Sequence, residues 1–152
     1  MTAPLPRTTV WRVENERDGH GPYQDWDERL YRMGYDHSDT AHPGPYADKG
    51  IRRSVIARAY AAGREPLGEI WEIDSLLRDP AYVFGFRNHD DAFEWFDGWL
   101  DVLADRGFVL RCYQPFADRT ITGTRQVLFD RRRARLVSTE HLTDDAATEA
   151  TA

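Results

Sequence analysis

Residues 82–130 constrain the fold more than any other part of the chain. They open with Tyr82-Val83-Phe84-Gly85-Phe86, a short run whose aromatic and β-branched residues suit a strand. Asn88 follows as a helix N-cap, with Asp90 and Asp91 in the first turn, where the helix dipole favours negative charge. Ala92, Phe93, Phe96, Trp99, Leu100 and Leu103 then recur at helical spacing, and Gly107 supplies a stop. Residues 108–116 and 123–130 read as two further strands, joined by residues 117–122 at the spacing of an antiparallel hairpin. The pattern predicts one α+β domain, a mostly antiparallel sheet with helices packed against it.

The rest of the chain fits around this unit. Thr9-Val10-Trp11-Arg12-Val13-Glu14 reads as a first strand that carries a cation, Arg12, and runs into the loop Gly19-His20-Gly21-Pro22-Tyr23. Residues 15–48 are rich in Gly, Pro, Asp and His, with Trp26, Tyr31, Tyr35 and Tyr46 interspersed and one short helix expected at 26–33. A long irregular segment of this kind is often functional. A better helix spans 51–62, with Ile51, Val55, Ile56 and Ala59 on one face and Gly63 as its stop, and a second is expected within 67–77. A last strand is expected at 134–137. Residues 1–8 read as a flexible start, 9–137 as the domain and 138–152 as an acidic flexible tail.

Composition narrows the function classes. At 152 residues and 41% hydrophobic, the chain can bury a real core as a single domain. A formal net charge of -6 argues against direct binding of nucleic acid, which needs concentrated basic surface. The single cysteine, Cys112, suits a reducing compartment, and its alternation with Phe108 and Leu110 makes it a core residue. No run has signal-peptide character or approaches about 20 apolar residues, so a cytoplasmic chain without membrane contact is expected.

Candidate chemistry is sparse. His20, His37 and His42 with Asp36 and Asp39 match no established metal-ligand spacing, and no metal is expected. Arg131-Arg132-Arg133-Ala134-Arg135 reads as a charged turn balanced by the acidic tail. No nucleophile elbow, Cys-x-x-Cys pair, Walker loop or dinucleotide fingerprint occurs, and no complete catalytic set is visible. Trp95, Phe96 and Trp99 share a helical stripe, with Phe96 and Trp99 expected in the core and Trp95 toward its flank.

Two resemblances add to this reading. The order of elements, with Arg12 on the first strand, Phe84-Gly85-Phe86 on the second and a helix opening at Asn88, resembles the small ADP-ribosyltransferase fold. That resemblance implies a pocket for NAD or a related nucleotide built from Arg12, Tyr82, Asn88 and Gln126. Gln126 stands where the family uses a Glu, and a neutral amide cannot supply a carboxylate's charge to an oxocarbenium-like transition state. The phrases at 11–14, 19–23, 84–86 with Trp95-Phe96, and 126–129 also resemble small bacteriophage accessory proteins. That second resemblance implies binding and modulation of a host factor.

The leading expectation is therefore a cofactor-free binding protein of phage or mobile-element type. Its partner surface would be His20, Tyr23, Trp26, Tyr35 and Tyr46, on a face made acidic by Asp25, Asp27, Glu28, Asp36, Asp39 and Asp48. Such a face suits a basic host protein, one that itself handles nucleic acid. The alternatives are a nucleotide-binding, catalytically degenerate transferase relative and a self-associating structural component.

Overall fold

The structure, a computed structural model, describes residues 5–22 and 48–142. Their elements run β1 (Val10–Asn15), α1 (Lys49–Ala61), α2 (Glu69–Leu77), β2 (Tyr82–Phe86), α3 (His89–Trp95), α4 (Leu100–Asp105), β3 (Phe108–Gln114), β4 (Thr120–Thr122), β5 (Gln126–Asp130) and β6 (Arg135–Glu140). The six strands form one sheet in the order β4-β5-β2-β1-β3-β6, every neighbouring pair antiparallel. The expected α+β class is what the chain adopts. No described helix is long and apolar enough to cross a membrane.

Strand alternation divides the sheet into two faces. Trp11 and Val13 of β1, opposite Cys112 and Leu110 of β3, point to the side where the helices lie. There Val13, Phe86, Phe108 and Leu110 meet Trp95, Phe96 and Leu103 from α3, α4 and the turn between them. Farther along the same face, Ile121 and Leu128 meet Ile51, Val55 and Ile73 from α1 and α2. Each such fully buried side chain contributes roughly 1.5–3 kcal/mol of transfer free energy. The opposite face carries Val10, Val83, Tyr113, Val127 and Phe129.

Three features differ from the sequence reading. Residues 108–116 and 123–130 do not form a hairpin. β3 lies between β1 and β6, while β5 pairs with β2 and with the extra strand β4, whose Ile121 supplies core. The helix expected from Asn88 to Gly107 is two helices, broken around Gly98 at φ 85°. Trp95, at the end of α3, is buried against Phe86, and Trp99, past the break, is only half-buried. Finally, β6 continues through Ser138, Thr139 and Glu140, past the expected boundary at 137, and Leu142 is buried.

Asp48 fixes the helical layer to the sheet. Its Oδ1 accepts from the N–H groups of Gly50 (2.8 Å), Ile51 (3.2 Å) and Thr124 (2.9 Å), and its Oδ2 from Arg125 and Gln126 (both 2.6 Å). One carboxylate thus caps α1 and closes the β4–β5 turn. Gly50 and Gly123 meet so closely that a methyl on either would overlap the other's segment. Asp48 is therefore a buried anchor, not part of the exposed acidic face that its sequence neighbours suggested. Burial alone would raise its pKa; the N–H groups of Gln126, Arg125, Thr124 and Ile51 outweigh burial and hold it below the ordinary value.

Two outcomes are expected for Asp48. Asp48→Ala orphans several buried N–H groups and should cost about 3 kcal/mol or more, read as a lowered midpoint in denaturant. Because the folded pKa is depressed, this stabilisation is complete above the unfolded value of about 3.9 and declines as pH falls through it. Thermal unfolding from pH 6 to pH 2 should therefore show a steeper loss in the wild type than in Asp48→Ala; equal slopes would contradict this role.

Candidate functional site

A second buried carboxylate organises the face away from the helices. Glu14 is fully buried on β1. Arg12 Nε and Arg131 Nε each donate to its Oε1 at 3.0 Å. Arg131 Nη2, Arg111 Nη1 and the Tyr113 hydroxyl each donate to its Oε2 at 2.8 Å. Strand geometry explains the convergence: Arg12 and Glu14 lie two apart on one face, and Arg111 is directly opposite Arg12 on β3. Tyr113 lies opposite Val10, and Arg131 directly follows β5.

Among the described residues, three guanidinium groups converge on this one carboxylate. Burial alone would raise the Glu14 pKa, but Arg131, Arg12, Arg111 and Tyr113 together lower it. Burial lowers that of Arg12, while Arg131 is raised, chiefly by its hydrogen bond to Glu14. Arg12 also donates to the Phe84 carbonyl at 2.6 Å and the Gly19 carbonyl at 3.2 Å. It thereby ties the glycine loop to the sheet. Gly19 adopts φ 75°, and its Cα packs against the Arg131 guanidinium with no room for a side chain.

β1 and β2 share a single paired position, Trp11 with Phe86, and beyond it the Arg12 side chain takes over the link between them. A cavity of about 470 Å³ lies here, lined by both strands, the 18–22 loop, the start of β5 and the turn at 131–132. Small-molecule sites fall in this size range. Val13, Phe84, Phe86 and Phe96 give it apolar walls, and Arg12, Arg131 and Arg132 line it with cations. Gln126 also lines it. Its side chain is almost fully buried, and neither Oε1 nor Nε2 has a hydrogen-bond partner among the described residues.

Of the residues implied by the transferase resemblance, Arg12, Tyr82 and Gln126 meet at this cavity and Asn88 does not. Asn88 instead caps α3, its Oδ1 accepting from Asp91 N–H at 2.8 Å. Arg12 is buried and already engaged rather than presented to a ligand. His20, expected on the partner surface, lies exposed at the cavity rim beside Asp18. Tyr23, Trp26, Tyr35 and Tyr46 lie outside the described residues, as do His37, His42, Asp36 and Asp39. Within the basic cluster, Arg131 is bound to Glu14 and Arg133 to Asp130 at 2.7 Å, and Arg135 contacts Gln114. Cys112 is buried, and burial raises its pKa.

Sequence reasoning missed Glu14, Arg111, Tyr113 and the buried role of Arg131. The signal that could have found the cluster was Glu14 itself, an acid two positions from Arg12 in a strand with apolar neighbours.

The chain matches, over residues 1–143, the family described as Bacteriophage T4 Y00F protein, and it belongs to that family. No curated protein and no solved structure matches it. The match supports the resemblance to phage proteins and does not support the one to ADP-ribosyltransferases.

Removing the charge of Glu14 should leave its guanidinium partners uncompensated in a buried site. Glu14→Gln should destabilise the protein by about 3–5 kcal/mol, lowering the Tm by roughly 10 °C. An unchanged Tm would show that the cluster is not what holds this face together.

Proposed function

We propose that this phage-family protein acts by binding a basic protein of the host cell. The observation that carries the reading is the corner between α1 and α2. Leu67, Ile70 and Trp71 are exposed there at 76%, 40% and 63%, with Tyr60 exposed on the last turn of α1. Water-exposed apolar side chains grouped in this way mark interaction sites, and Trp is among the residues enriched as anchors in them.

The corner is rigid. Arg64 N–H donates to the Ala59 carbonyl at 3.0 Å, the Arg64 guanidinium pairs with buried Glu72, and Glu72 also accepts from Leu67 N–H at 3.2 Å. An anchor held this way loses little conformational freedom on binding. Residues 65–74 contain four carboxylates and no Lys or Arg. Glu72 is neutralised by Arg64 and Glu69 is paired with Arg52 at 3.7 Å, while Glu65 faces water. The acidic excess of residues 65–74 favours a basic partner and would speed the encounter. This surface is aromatic and acidic and is distinct from the 19–48 loop face expected from the sequence, most of which lies outside the described residues.

A second reading is favoured by the cavity. It is a site for a nucleotide such as NAD, bound without transfer chemistry, because the late-strand position that would need a carboxylate carries Gln126.

The host-protein reading is tested by capture from a bacterial host extract with the wild type and with Leu67→Ser/Trp71→Ala, followed by titration of the purified captured protein. The double variant should unfold at the wild-type temperature and bind at least about thirtyfold more weakly, the loss of one hot-spot anchor of roughly 2 kcal/mol. Binding should also weaken as salt rises. Undiminished binding by the folded variant, or a Trp71-dependent dimer of the protein itself in light scattering, would overturn the assignment.

A further inference from the structure

Within the cavity, Gln126 poses a specific chemical demand. A buried amide with neither group paired costs about 1–3 kcal/mol, a penalty folded proteins rarely carry without use. It is not a loose side chain that failed to find a partner. The Gln126 backbone N–H is clamped by Asp48 Oδ2 at 2.6 Å, and the residue is paired in register with Phe86. The protein thus holds an acceptor, Oε1, beside a donor, Nε2, at an apolar wall.

We propose that this cavity binds an adenine nucleotide, with Gln126 reading the base. The inference deepens the cavity reading above and is independent of the α1–α2 corner. The complement of a primary amide is a planar group with adjacent donor and acceptor, and a Gln side chain pairs bidentately with the N6 amino group and N7 of adenine. The Oε1 atom accepts from N6–H while Nε2–H donates to N7. Phe84, Phe86 and Phe96 supply the apolar surroundings that a base requires.

Arginines in the lining suit an anion on the same ligand. Arg131, held by Glu14, lines the cavity. Arg132 also lines it, is exposed, and has no ion-pair partner among the described residues. Asp18 at the rim is paired with His20 Nδ1 at 3.6 Å. A phosphate near Arg131 and Arg132 would accept charge-assisted hydrogen bonds from their guanidinium groups, and base and phosphate together define a nucleotide. Gly19 and Gly21 keep the loop's backbone against Arg131 and Arg12, so no Cβ obstructs the opening there.

The test is thermal unfolding and calorimetric titration of the whole protein with AMP, NAD, IMP, adenosine, ribose 5-phosphate and inorganic phosphate at millimolar concentration. Variants are Gln126→Leu and Arg132→Ala. The Gln126→Leu protein removes the unpaired groups at similar volume, so its ligand-free Tm should equal or exceed that of the wild type. AMP and NAD should raise the wild-type Tm by several degrees. IMP should bind at least tenfold more weakly than AMP, because its O6 replaces the N6 donor. Gln126→Leu should lose the AMP response, and Arg132→Ala should weaken AMP but not adenosine. Stabilisation by IMP rather than AMP, abolished by Gln126→Leu, would overturn the adenine assignment and leave the cavity reading standing. A response to NAD without one to AMP would do the same. No response to any nucleotide, or an AMP response unchanged in Gln126→Leu, would overturn both.

Discussion

Glu14 is the interaction on which the described structure depends most. Its two oxygens gather donors from β1, β3 and the turn after β5, elements far apart in sequence. A carboxylate buried in this way would be strongly unfavourable alone, and so would each guanidinium. The cluster is stable only as a set, so it ties the turn after β5 to β1 and β3, which are themselves paired along β1's length, and it orients Arg12 toward β2. At the β1–β2 contact Trp11 and Phe86 are the single paired position, and the Arg12 bond to the Phe84 carbonyl bridges the strands beyond it.

The cavity is a consequence of that arrangement. If β1 and β2 paired along their full lengths, the ladder would close the space that the loop, Gln126 and Arg131 now surround. Glu14 and Asp48 hold the cavity from opposite faces of the sheet, one through side-chain cations and the other through backbone N–H groups. Between them Gln126 is fixed at its backbone and left open at its amide. The α1–α2 corner is stiffened by a third acid, Glu72, through Arg64. Buried acids position both candidate surfaces, though neither surface depends on the other.

Much of the fold was legible because the local signals were strong. Asn88 caps α3 as its side chain and the two following aspartates imply, and Ile51, Val55 and Ala59 bury one face of α1. What failed were the non-local pairings. Residues 108–116 and 123–130 have a hairpin's spacing, but β3 finds partners in β1 and β6, a choice made by side-chain packing over long sequence distances. Gly98 carried the break between α3 and α4, which helical periodicity alone hides. At the site, Arg12 and Gln126 were recognised and their states were not. Arg12 is engaged by Glu14, two positions on, and by the Gly19 and Phe84 carbonyls, while Arg111 and Arg131, distant in sequence, complete the shell of Glu14, which no strand pattern announces.

The Bacteriophage T4 Y00F protein family thus includes a chain whose sheet is pinned through buried acids and arginines. The most direct measurement of that claim is hydrogen exchange of the arginine Nε–H groups by NMR at neutral pH. Separate, slowly exchanging Nε–H resonances are predicted for Arg12 and Arg131, both bound to Glu14 Oε1. Rapid exchange at both positions, like that of exposed Arg132, would contradict it.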